Sequence, residues 1–200
     1  MIKITILKTI RFLPYLILAL WLIMALVAPF IGEASNVVEL NYMLMPPNSD
    51  AIFGTDELGR PVFERLLLGA QTSFYVAISV VVFSFIIGTT IGVYSGYMGG
   101  WIDGVVVKII DVFLAFPGLL LAIALAAILG PGIENVIFAL VTVGWVGYAR
   151  LARAQTLSIK HREHIQAAKA LGTTTPWILF KHVLPLILAT LGVEATFGIA

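Results

Sequence analysis

Few residues in this chain have a type and spacing that could do chemistry, and each has a plain structural alternative. His161 and His164 lie three apart, which could place two imidazoles on one helical face. Without a cysteine in the chain or an acid cluster nearby, a metal site lacks further ligands, and solvated loop histidines are the simpler reading. Serine, histidine and aspartate all occur, but no serine has the Gly-x-Ser-x-Gly setting of an exposed nucleophile. No Gly-x-x-x-x-Gly-Lys-Ser/Thr phosphate loop is present. Asp103, Lys108 and Asp111 form a short charged run, and Glu194 stands alone in an apolar stretch. Acids inside a membrane are functional candidates by default; the alternative for the first three is a partly paired helix end near the interface. Asp56 and Arg60 could bind a partner or merely tie down a turn. The chain is therefore expected to have no catalytic or metal site.

The elements that position these residues are membrane spans. Of 200 residues, 60% are apolar and 12% charged, against about 25% charged in soluble domains. Apolar runs near the length needed to cross a roughly 30 Å hydrocarbon core recur. The expected fold is all-α: a polytopic transmembrane helical bundle with four full spans and a partial fifth. Spans are expected over Phe12–Ile31, Thr72–Tyr94, Val105–Leu129 (kinked at Pro117) and Glu134–Ala152, with a fifth from Leu184. Pro14 and Pro29 fall near the ends of the first, where a helix tolerates them best. That span reads as an uncleaved anchor, because its apolar run is too long for a signal peptide and no small-residue cleavage site follows.

Charge sets the orientation. Residues 32–69 hold six acids (Glu33, Glu39, Asp50, Asp56, Glu57, Glu64), and only Arg60 and Arg65 of the twelve basic residues. Arg150, at the end of the fourth span, and Arg153, Lys160, Arg162, Lys169 and Lys181 after it cluster together. By the positive-inside rule, the N-terminus and residues 155–182 face the cytoplasm and residues 33–69 face outward. Gly88, Gly92 and Gly96, at four-residue spacing, form a ridge that lets a second helix approach closely; ordinary glycine enrichment of membrane helices is the competing reading. Glu194 is expected to face the protein interior or a partner.

The internal loop is the main soluble-looking segment on its face. Helix formers run from Glu163 to Leu171, Gly172 is a C-terminal stop, and Pro176 suits the first position of a second short helix. Ala167, Ala168 and Ala170 give the first helix a small-residue face suited to a partner's groove. A solvated helix with no partner fits the same propensities.

Gln166, Ala167, Ala168 and Gly172, with Leu184-Pro185 twelve positions beyond the glycine, resemble the EAA motif of binding-protein-dependent ABC transporter permeases. Gln166 stands where that motif has an acid, keeping hydrogen bonding and losing charge. Phe53-Gly54-Thr55-Asp56-Glu57-Leu58-Gly59-Arg60, continuing through Phe63, Arg65, Leu66, Gly69 and Ala70, resembles the segment before the second span in the dipeptide/oligopeptide/nickel permease family, C-type subunit. Pro61 replaces the acid usual after that arginine. Ala115-Phe116-Pro117 and the stretch Gly144–Arg150 are also similar to that family.

The resemblance implies a type I importer permease of six spans paired with a homologous permease. Two cytoplasmic ATPase subunits would bind ATP and Mg and dock on the internal loop, and an external solute-binding protein would deliver peptide, oligopeptide or nickel complexes. Residues 1–69 would then be an anchor with an extracytoplasmic segment, and 70–200 an incomplete permease core lacking the end of the fifth span and the sixth. The location implied is a bacterial or archaeal cytoplasmic membrane. No cofactor of its own and no nucleic-acid partner are expected. The loop's basic residues could also anchor on anionic lipid, worth roughly 1 kcal/mol per charge. Rival functions are a gradient-driven secondary transporter or channel, which would want buried acids or broken helices at the midplane, and a non-transporting scaffold.

Overall fold

The structure is a computed structural model that describes residues 2–30 and 37–199, with side chains from Tyr15 onward. Ile31, Gly32 and Glu33, at the expected end of the first span and start of the acidic segment, lie outside the described residues, as do the side chains of Lys3, Lys8, Arg11 and Pro14. Among the described residues there is no named strand; the elements are helical. The backbone gathers into two compact units, residues 1–75 and 76–200.

In the first unit, α1 runs Ile2–Val27 and ends in a 3-10 turn, Ala28–Phe30. This helix starts ten residues before Phe12, so Pro14 lies in its interior rather than near its end; the apolar residues Ile4, Ile6, Leu7 and Ile10 continue the helical stretch backward. Only Pro29 occupies a terminal turn. Residues 37–61 form an irregular loop, and α2 then opens at Val62 and continues to Met98 in the second unit. Trp21 packs edge-on to Phe74 at 5.3 Å. At 37 residues, α2 is roughly 55 Å long, well beyond the expected span.

The second unit holds the remaining helices. Gly99 and Gly100, both at positive φ, turn the chain from α2 into α3, Gly100–Leu114. Pro117 does more than kink the next span: α3 and α4, Gly118–Leu129, meet at 82°. Proline cannot donate its backbone hydrogen bond and disfavours an α conformation in the residue before it, and Pro117 itself is extended, at ψ 112°. The expected kinked span is therefore a broken one. After the Gly130–Gly132 turn, α5 spans Ile133–Ile159, seven residues past Ala152, so the internal loop begins later than expected.

The loop helix α6 is Glu163–Ala170, and Gly172 has φ +79°, the left-handed conformation that ends helices on glycine. Thr174 precedes α7, Thr175–Ile178, with Pro176 in its first turn. The expected separate second helix is instead the start of the last span: α7 passes through a π turn, Leu179–Val183, into α8, Leu184–Ile199. Together they make a 25-residue span, Thr175–Ile199, beginning nine residues before Leu184. The Leu184 N–H reaches back to the Leu179 carbonyl. This widens the backbone just before Pro185, whose ring would otherwise meet the carbonyl of Lys181.

Among the described residues, three helices are long and apolar enough to cross a membrane, four if the α3–α4 pair counts as one span. The α2–α5 seam follows the glycine ridge. A Cβ on Gly88 or Gly92 would collide with the carbonyl oxygens of Trp145 and Ala149, and one on Gly96 would lie 2.9 Å from that of Arg153. Ser84 extends the row one step, against Gly144. The helices touch backbone to backbone along three turns, the geometry a four-residue small-side-chain repeat permits.

Candidate functional site

The loop helix has two unlike sides. Ile165 (0% exposed) and Ala168 (8%) point into a core with Val93, Ala152, Ile159, Ile178, Val183, Ile187 and Leu191. Full burial of one such isoleucine stabilises by about 1.5–3 kcal/mol, so α6 is fastened to the spans. Gln166, Ala167, Lys169 and Ala170 are exposed, as is Leu171 at 86%. The three alanines expected on one docking face are thus divided: Ala168 faces the chain's own core, while Ala167 and Ala170 face outward. Gln166 donates to the Lys160 carbonyl at 2.9 Å, capping the end of α5. Leu184 is half-buried and Pro185 exposed at the entry to α8.

Among the described residues no three His, Asp or Glu side chains gather. His164 lies near His182, ring centroids 6.3 Å apart. Lys181 sits over the Trp177 ring at 5.0 Å, leaving a mixed cationic and aromatic surface beside α6.

A four-membered polar knot lies where α2, α3 and α5 converge, and its pairing is not apparent from local sequence. Arg153 clasps Asp103 with two hydrogen bonds of 2.6 and 2.7 Å across fifty residues. Ser95, fully buried, donates to the same carboxylate at 2.8 Å. Lys160 donates to the Gly96 carbonyl at 3.0 Å. Asp103 is therefore paired, but with Arg153 rather than Lys108. The glycine ridge is the signal that could have found it, since it brings Gly96 against Arg153.

In the first unit, the Gly54–Arg60 segment ties itself together. Thr55 donates to the Tyr42 carbonyl and accepts from the Met45 N–H at 2.9 Å. Asp56 Oδ1 accepts from the Leu58 and Arg60 N–H groups, each at 2.9 Å. Its Oδ2 accepts from Arg60 Nε at 3.0 Å and from Arg65 at 2.5 Å. Desolvation pushes the Asp56 carboxyl up, but the Arg60 backbone N–H, the Arg60 guanidinium and the Leu58 N–H outweigh it and hold the pKa well below the ordinary aspartate value. Gly54 and Gly59 take φ of +71° and +74°, and a Cβ on either would strike the Met45 or Glu39 carbonyl. These contacts favour the turn-shaping alternative for Asp56 and Arg60.

Glu194 projects from α8 into a cavity of about 190 Å³ that Ser84, Gly144 and Tyr148 also line. Glu194 remains exposed, so it borders helices of its own unit on one side without being enclosed by them.

Residues 88–199 match the family of binding-protein-dependent transport system inner membrane components. The chain is 40% identical over 185 residues to the dipeptide transport system permease protein DppC of Alkalihalophilus pseudofirmus, covering 92% of this chain and 60% of that protein. It is 34% identical over 185 residues to the oligopeptide transport system permease protein OppC of Bacillus subtilis, covering 92% and 61%. It is 40% identical over 153 residues to the glutathione transport system permease protein GsiD of Pectobacterium atrosepticum, covering 76% and 51%. The chain spans about 60% of the length of the first of these relatives.

Proposed function

The chain belongs to the binding-protein-dependent transport system inner membrane component family, and from that premise we propose that it is a permease subunit of an ATP-driven importer of di- and oligopeptides. It pairs with a homologous permease to form the path. Two ATPase subunits carry ATP and Mg on the cytoplasmic side, so this subunit is no enzyme and holds no cofactor. An external solute-binding protein delivers the peptide. The N-terminus lies in the cytoplasm and residues 33–69 outside, with the anchor and outer segment in 1–69 and the permease core in 70–200.

The observation that carries this proposal is the two-sided helix α6. Its inner side is locked to α5 and α8 through Ile165 and Ala168, while Ala167, Ala170 and Leu171 stand free beyond it. A push on the outer side is transmitted to two spans without first bending the loop. Gln166, Ala167, Ala168, Gly172, Leu184 and Pro185 are the coupling residues, with Ala168 acting from beneath. The Gly54–Arg60 turn keeps the outer segment in shape.

Variants that test docking must spare the core. Ala168→Asp would bury a charge and Gly172→Asp would strain a positive φ, so neither isolates docking. Ala167→Glu combined with Leu171→Asp changes only exposed positions. In a pull-down from detergent with the full-length permease and its co-expressed ATPase subunits, this double variant is expected to insert normally and capture at least tenfold less ATPase. Equal capture would mean that α6 is not the docking element.

A further inference from the structure

Among the described residues of the second unit, three buried hydroxyls have no hydrogen-bond partner: Thr89 Oγ1, which lies elsewhere on α2, and the pair Ser84 Oγ and Tyr148 Oη. Ser84 and Tyr148 are 1% and 6% exposed. Buried hydroxyls are ordinarily satisfied, and both of this pair line the same cavity as Glu194. Gly144, Gly147 and Gly198 supply the rest of the near wall and keep it open. A Cβ on Gly144 would lie 2.7 Å from Ser84 Oγ, one on Gly198 would lie 2.8 Å from Tyr148 Oη, and one on Gly147 would lie 4.0 Å from the Glu194 carboxylate. Ser84 lies eleven residues before Ser95, the residue on α2 that meets the Asp103 knot. That is roughly 16 Å along the helix, about half of a 30 Å hydrocarbon core.

One carboxylate and two hydroxyl oxygens, with no basic side chain among the lining residues, suit a small cation that donates several hydrogen bonds. A carboxylate ligand would be repelled by Glu194. A divalent metal would lack a ligand set, since no trio of His, Asp or Glu occurs among the described residues. A primary ammonium offers three N–H donors, matching the three acceptor groups. We propose that Ser84, Tyr148 and Glu194 form an intramembrane subsite for the α-ammonium group of the peptide being carried. The inference rests on the peptide-importer proposal above. The cavity, equivalent to several water molecules at roughly 30 Å³ each, takes an amino terminus and leaves the rest of the peptide outside it, so side chains go unread there. Dipeptides, oligopeptides and glutathione, the substrates in the relatives' names, differ in side chains and length and share that free ammonium, along with an amide and a free carboxylate.

A membrane-permeant carbodiimide couples to a carboxyl group that it can reach, and a bound ammonium shields that carboxyl group from it. With the full-length permease in detergent, alanyl-alanine is expected to slow modification of Glu194, read by mass spectrometry, at least threefold more than N-acetyl-alanyl-alanine does. No difference between the two overturns the subsite. Tyr148→Phe removes one acceptor and leaves the ring that packs on Phe85, so the protection is expected to shrink at least threefold; undiminished protection removes Tyr148 from the site. ATP-driven uptake of alanyl-alanine by the reconstituted full assembly separates this inference from its premise. A wild type that imports no peptide overturns the importer proposal. A wild type that imports, alongside a Glu194→Gln variant that imports within twofold of it, overturns the ammonium subsite alone.

Discussion

Asp56 accepts hydrogen bonds from two backbone N–H groups and two guanidinium groups, and all four interactions require the ionised carboxylate or favour it. Its pKa in the folded chain is below the ordinary value, so the stabilisation is complete above about pH 4, the unfolded value, and is lost as pH falls from there through the folded value. Hydrogen exchange at the Leu58 and Arg60 amides should therefore show steady protection from pH 7 to pH 5 and a loss only well below pH 4. Asp56→Asn should show weakened protection throughout that range. Protection in the variant equal to wild type would mean that the loop is held by its glycines and Thr55 alone. The role of Asp56 was half legible in sequence: Asp and Gly at such spacing announce a turn, but Arg65, nine positions on, does not announce itself as the second cation on the same oxygen.

At the scale of elements, the α2–α5 seam has the clearest consequence. Gly92 lies against the Ala149 carbonyl with no room for a methyl group, whereas nothing lies within 4 Å of the Cβ position of Gly104 on α3. Gly92→Ala should lower stability by about 1–3 kcal/mol through forced separation of the helices, seen as a lower midpoint of thermal unfolding in detergent. Gly104→Ala should be neutral or slightly stabilising, because alanine loses less backbone entropy in a helix. Equal midpoints for the two variants would contradict the seam. The ridge was readable because its period matches the helix. The helix over Glu163–Ala170 and its Gly172 stop were readable from propensity and φ requirements. Which side of α6 turned inward was not, since Ala167, Ala168 and Ala170 are chemically alike and only Ile165, three before Ala168, marks the buried side. The depth of the break at Pro117 was also hidden, because proline specifies that a helix is interrupted and its neighbours set the angle.

Across the second unit as a whole, Asp103 and Arg153 join α3 to α5 while Ser95 and Lys160 bring in α2. Hydrogen bonds to charged groups are worth about 1.5–3 kcal/mol when partly buried. A double-mutant cycle with Asp103→Asn and Arg153→Gln should give a coupling energy in that range, well above that of an exposed ion pair; a value near zero would reduce the fork to a surface contact. Each single variant should also lower the unfolding midpoint, since each leaves a charge without its ion-pair partner. The positive-inside pattern identified Arg153 as one of six basic residues on a face and supplied no way to single it out. The class of fold followed from composition and span length, because the bilayer leaves an apolar chain few alternatives.

The π turn at Leu179–Val183 bears on how this segment changes over evolutionary time. A π turn is an α-helix holding one surplus residue, so a single-residue deletion there restores regular winding and leaves both flanks aimed as before. A deletion in regular helix between this turn and Ile187 would rotate everything beyond it by about 100° and turn Ile187 and Leu191 out of the core. Pro185 makes that one permitted deletion conditional, because regular winding returns the Lys181 carbonyl to the proline ring. A lineage that loses the surplus residue is therefore expected to have lost the proline at position 185 as well.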